Sequence, residues 1–96
     1  RMSVGVRNMK GRTGRGVANQ FMITANGATY FQSYNTTVEK REWIEGELKV
    51  TLREGYWNNY SATTNKYLNA FLRTSGVDEI REKVESGEYI VERVIA

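Results

Sequence analysis

Val17-Ala18-Asn19-Gln20-Phe21-Met22-Ile23-Thr24-Ala25-Asn26-Gly27-Ala28-Thr29-Tyr30-Phe31-Gln32-Ser33-Tyr34 carries the strongest local folding signal in the chain. Asn26-Gly27 suits a two-residue type I′ turn, because both central residues of that turn need positive φ and Asn and Gly tolerate it best. Pairing outward from the turn sets Phe21 opposite Gln32, Ile23 opposite Tyr30 and Asn19 opposite Tyr34 on one face, with Met22 opposite Phe31 on the other. Both faces carry apolar groups, so the pattern leaves open which one meets the core.

Thr37 to Arg53 predicts a second hairpin turning near Glu45-Gly46-Glu47, with Leu48, Val50 and Leu52 alternating against Lys49, Thr51 and Arg53. Two registers remain. A two-residue turn pairs Trp43 with Leu48 and Glu42 with Lys49, whereas a three-residue loop pairs Ile44 with Leu48 and Glu39 with Arg53. Further on, Thr63 or Thr64 can cap a helix with Tyr67, Leu68, Phe71 and Leu72 on one side, ending at Ser75 or Gly76. A second helix, capped by Ser75 or Asp78, carries Val77, Ile80 and Val84 in a stripe, a Glu79/Lys83 pair and a closing Gly87. Glu88 to Ile95 alternates as a last strand returning to the sheet. The expected fold is α+β: a four-stranded antiparallel meander, two short helices and a final strand (ββββααβ), in one domain over 17–96.

The first 16 residues look different, with Arg1, Arg7, Lys10, Arg12 and Arg15, no acid anywhere before Glu39, and Gly5, Gly11, Gly14 and Gly16. High backbone entropy, positive charge and little to bury predict a basic Gly/Arg-rich arm over 1–16. Two readings stand for it: a solvated tail, or a nucleic-acid arm in which Arg meets phosphate or stacks on a base.

The chain has 96 residues, 14 Lys+Arg, 11 Asp+Glu and no His, Cys or Pro. That removes disulfides, thiolate zinc sites and imidazole bases or ligands. No P-loop follows the glycines, the only Asp is Asp78, and no acidic loop of the EF-hand kind is present, so no cofactor, metal or catalytic residue is expected. Glu39, Glu42, Glu45, Glu47 and Glu54 read as the solvated face of a charged hairpin rather than as paired catalytic carboxylates. The longest apolar runs are only a few residues and no hydrophobic leader is visible, so neither membrane insertion nor secretion is expected.

Seven of the eleven aromatics lie between Tyr30 and Tyr60, interleaved with Gln32, Ser33, Asn35, Asn58 and Asn59. Phe31, Trp43 and Phe71 read as core; Tyr30, Tyr34, Tyr56 and Tyr60 read as contact residues, because a phenol needs a partner when buried, and Trp57 carries both readings, core packing and base stacking. The candidate contact set for nucleic acid or a partner is therefore Arg7, Lys10, Arg12, Arg15, Tyr30, Gln32, Tyr34, Tyr56, Trp57 and Tyr60.

Asn19-Gln20-Phe21, Tyr30-Phe31-Gln32-Ser33-Tyr34-Asn35-Thr36, Tyr56-Trp57-Asn58-Asn59-Tyr60-Ser61, Thr63-Thr64-Asn65-Lys66-Tyr67, Phe71-Leu72 and Val84-Glu85-Ser86-Gly87-Glu88-Tyr89 together resemble a group of small uncharacterised proteins of tailed bacteriophages and prophages. The resemblance runs over about residues 17–90 in the same order, and the basic segment before Val17 departs from it. It implies a small phage accessory protein of the host bacterial cytoplasm. The expected activity is non-enzymatic binding to a host protein or ribonucleoprotein complex that handles nucleic acid, as anti-CRISPR and other anti-defence inhibitors do. Direct binding of single-stranded DNA or RNA is the alternative, and a small nuclease working without His the third reading. An open sheet edge also leaves room for a strand-to-strand homodimer.

Overall fold

The computed structural model describes residues 4–58 and 60–95. Six strands form one sheet in the order of the chain: β1 (Val4–Lys10), β2 (Gly16–Ala25), β3 (Ala28–Ser33), β4 (Thr36–Ile44), β5 (Glu47–Arg53) and β6 (Tyr89–Glu92). The first five run antiparallel; β6 lies parallel to β5 after a crossover through α1 (Ala62–Leu72) and α2 (Val77–Glu85). A parallel neighbour cannot be reached by a tight turn, and the two helices supply the required length.

The β2–β3 register is the expected one, with Phe21 against Gln32, Met22 against Phe31 and Ile23 against Tyr30 around Asn26 (φ 55) and Gly27 (φ 80). Asn19 and Tyr34 are joined by a 2.7 Å hydrogen bond from the Tyr34 N–H to the Asn19 carbonyl. Of the two registers open for β4–β5, the two-residue turn is the one adopted: Trp43 faces Leu48 and Glu42 faces Lys49, with Glu45 (φ 51) and Gly46 (φ 82) both left-handed.

Met22 and Phe31 point to the core, which settles the face. Phe31 is fully buried and stacks on Phe71 of α1 with ring centroids 5.8 Å apart. Leu52, Leu68, Ile80 and Val38 are likewise fully buried around it, with Val50, Tyr67 and Tyr89 closing the cluster. Gln20 Nε2 donates to Ser33 Oγ (3.0 Å), and the Ser33 and Thr64 hydroxyls share a 2.7 Å bond, so a buried polar chain fastens β2 and β3 to α1.

The main correction falls on residues 4–16 of the expected arm, its residues 1–3 lying outside the described ones: five strands, not four, precede the helices, and residues 4–10 form β1. Val4, Gly5, Val6, Arg7 and Asn8 pair with Ala25, Thr24, Ile23, Met22 and Phe21. Backbone pairing with β2 and the burial of Met9 against the core hold the segment despite its glycines. The helix ends also shift. Ser61 caps α1, its hydroxyl accepting from the Thr64 N–H at 3.1 Å, and Arg73 in the left-handed region (φ 59) ends it. Gly76 precedes α2, while Ser75 donates through its backbone N–H and hydroxyl to Glu79. Lys83 pairs with Glu88 at 3.1 Å instead of with Glu79, and the last strand is shorter than expected. Among the described residues, no helix is long and apolar enough to cross a membrane.

Glu39 corrects the reading of the hairpin as a solvated charged face. A bulge between the pairs Phe31/Glu39 and Gln32/Thr37 turns this carboxylate inward, where it is fully buried with neither oxygen hydrogen-bonded among the described residues. Burial pushes its pKa up from 4.5 to about 8, against a smaller opposing pull from Arg41. The folded protein thus keeps a proton that the unfolded chain loses. Stability from neutral Glu39 is complete below pH 4.5 and is lost as pH rises through about 8. Urea unfolding should show the protein losing about 3 to 4 kcal/mol between about pH 5 and 8 through this group. Glu39→Gln should remove that slope; equal pH dependence in the two proteins would contradict a buried neutral Glu39.

Candidate functional site

Alternation of strand direction sends three connections to the same end of the sheet: the β1–β2 loop at residues 11–15, the Tyr34-Asn35 turn, and the segment from Glu54 to Ser61 that leads into α1. Each is shaped locally. In the first, the Gly11 N–H donates to the Arg15 carbonyl (2.9 Å) and the Gly14 N–H to the Gly11 carbonyl (3.0 Å), leaving Arg12 and Arg15 exposed. Gly14 takes φ 81, a conformation that suits glycine. This loop rests near α1, since a Cβ added at Gly11 would stand 3.9 Å from the Tyr67 hydroxyl.

Tyr34 occupies the middle connection with φ 55 and 51% of its surface exposed. A bulky residue in the left-handed region is strained, and here Gln32 Nε2 supports it by donating to the Tyr34 carbonyl at 2.7 Å. The third connection begins at Gly55 (φ 86). Its Tyr56 and Tyr60 rings lie 4.6 Å apart at 42°, and the Arg53 guanidinium sits 5.2 Å from the Tyr56 centroid. Trp57 packs half-buried against the core, Asn58 accepts from Arg81 Nη2 at 2.9 Å, and Tyr60 is 58% exposed.

Seven of the ten candidate contact residues therefore share one end: Lys10, Arg12, Arg15, Tyr34, Tyr56, Trp57 and Tyr60. Tyr30 and Gln32 lie on the sheet face turned away from the helices, where Lys40 Nζ stands 5.9 Å from the Tyr30 ring. Arg7 pairs with Met22 in mid-strand and shares its side of the sheet, apart from the loops. Arg53 joins the site although nothing in its strand alternation marks it; only the fold brings it over Tyr56.

Charge is polarised along the strands. The loop end carries Lys10, Arg12, Arg15, Arg53 and Arg93 against Glu54 and Glu92, whose backbones meet in a 2.8 Å bond from the Glu54 N–H to the Glu92 carbonyl. At the opposite end, the Glu45-Gly46 turn gathers Glu42, Glu45, Glu47 and Glu88 around Lys49, with Lys40 paired to Glu42 at 3.5 Å and Lys83 to Glu88 at 3.1 Å. This end is therefore only weakly acidic, and its unpaired acids among the described residues are Glu45 and Glu47 beside the turn. No group of three or more His, Cys, Asp or Glu residues able to hold a metal occurs among the described residues. Such an end can hold an anionic polymer by charge and offer flat rings to its bases.

The chain belongs to a family of unknown function, DUF8033, whose family model matches residues 4–87. That match takes in β1 and the basic loop, so residues 4–16 lie inside the family's own region. No curated protein and no solved structure matches the chain.

Strain at Tyr34 with no core contact to justify it makes a specific trade-off. Tyr34→Gly should raise stability by about 1 kcal/mol in thermal unfolding, because the left-handed conformation no longer meets a Cβ. A destabilised variant would show that the tyrosine ring holds the turn in place.

Proposed function

We propose that this chain is a non-enzymatic binding protein that acts on a nucleic-acid-handling host complex, with the loop end of the sheet as its contact surface. One observation carries the reading: the fold brings exposed Arg12 and Arg15, strained Tyr34 and the Tyr56/Tyr60 pair beside Arg53 to a single end. Arginine supplies phosphate contacts, and tyrosine supplies stacking worth about 1–3 kcal/mol per base. Glu39, the one wholly buried carboxylate among the described residues, is out of a substrate's reach, which favours binding over a hydrolytic role. The phage-protein resemblance favours an anti-defence setting of the anti-CRISPR type, in which the loop end occupies the path of a single strand within a larger complex.

Direct binding of free single-stranded DNA or RNA is the second reading, favoured by the Tyr56/Tyr60 rings held at 4.6 Å next to a guanidinium. Fluorescence anisotropy with labelled oligonucleotides at about 50 and 200 mM salt separates the two, since phosphate-driven binding weakens by orders of magnitude over that range. Salt-steep binding of free single strands supports the second reading. Silence there, with co-purification of a host Cas effector or another nucleic-acid complex, supports the first; silence in both overturns the proposal. Where binding is seen, Arg12→Ala with Arg15→Ala should reduce the magnitude of the log K against log salt slope by about 1.4, the value for two phosphate contacts on a single strand. An unchanged slope would remove these arginines from the interface.

A further inference from the structure

Both helices lie on one side of the sheet, and no described element covers the other. The shortest dimension of the molecule is 21 Å, the thickness of one sheet and one helix layer. The uncovered face is divided. Its β1–β3 half presents Val4, Val6, Phe21, Ile23 and Tyr30, whereas its β4–β6 half presents Lys40, Glu42, Lys49 and Arg53 around Ile90. Val4 is 71% and Val6 62% exposed, unusual for β-branched residues in register with Ala25 and Ile23.

We propose that this face packs against the same face of a second copy, about a two-fold axis running across the strands. Three features select that arrangement. An axis along the strands would lay β1 over the partner's β6 and set apolar residues on charged ones. An axis across them lays β1 over β1 and β3 over β3, so that each apolar half meets itself and each charged half forms a rim. The same axis exchanges strand ends, placing the basic loop end of each copy beside the acidic Glu45-Gly46 end of the other. Area agrees too: six strands about 4.8 Å apart and about seven residues long offer on the order of 600 Å² per copy, or about 1,200 Å² in all, where stable specific interfaces begin. Tyr30 and Gln32 then become self-contacts, and the two loop ends with Arg12, Arg15 and Tyr60 remain open at opposite ends of the dimer.

Sedimentation equilibrium of the full chain at about 50 µM should give twice the 11.0 kDa chain mass. Val6→Lys should return the mass to 11.0 kDa, with an unchanged circular dichroism spectrum and dimerisation weakened at least about 100-fold. Should that variant unfold, Val4→Lys, at a position 71% exposed, carries the same expectation. Trp43→Ser, at an equally exposed position on the β4–β5 tip, should leave the dimer intact. A monomeric wild-type chain would overturn the proposal and give the face to another occupant. Folded lysine variants that stay dimeric, or a dimer lost with Trp43, would overturn it by moving the contact to the β1 edge or to the tip.

Discussion

The stacking of Phe31 on Phe71 is the contact on which the rest of the structure depends. Phe31 stands at the centre of β3, fully buried, and its ring meets Phe71, which lies in the last turn of α1 on the same buried side as Tyr67 and Leu68. Once that pair forms, the period-two alternation of the strands assigns Met22, Val50 and Leu52 to the same side, and Leu68 and Ile80 follow as the helices settle. The polar chain from Gln20 through Ser33 to Thr64 then fixes where along the sheet α1 begins. A buried polar chain of this kind stabilises one alignment over its neighbours, because a slip would strand each of its groups without a partner.

From that alignment come the two surfaces proposed above as contacts. Starting α1 beside the end of β3 brings Tyr56 to Ser61 to the end of the sheet that holds the basic loop and Tyr34. Spending both helices on one side leaves the opposite face bare, with its apolar half on β1 to β3. The basic end and the bare face are therefore two results of one packing decision.

How much of this the sequence disclosed depended on how sharply each signal was written. Asn26-Gly27 is a strong turn signal, and the register around it was legible residue by residue. Glu45-Gly46 is weaker, because glutamate seldom adopts φ near 51, so two registers were open there until the structure chose one. The core face was hidden because Phe21 and Ile23 are as apolar as Met22 and Phe31; only the helices distinguish them. β1 escaped notice since an edge strand buries little, and its glycines and arginines pointed to an arm. The direction of Glu39 was hidden because it follows from the register left open at the Glu45-Gly46 turn: the two-residue turn sets it opposite the buried Leu52, the longer loop opposite Arg53. Of the candidate contacts, those on loops converged together with Lys10 at the end of β1, Arg7 and Tyr30 in mid-strand did not, and Gln32 on the outer face touches the site only through its bond to the Tyr34 carbonyl, since a strand's course across the sheet is invisible from composition.

That the loop end is the contact surface is the central claim, and residue-resolved NMR of the labelled chain titrated with a single-stranded oligonucleotide or a purified target complex tests it most directly. Perturbed amides are expected only at residues 10–16, at Tyr34 and Asn35, and in the segment from Arg53 to Ser61. Perturbations centred on the Glu45-Gly46 turn or on the outer face of α2, with the loop end silent, would contradict it.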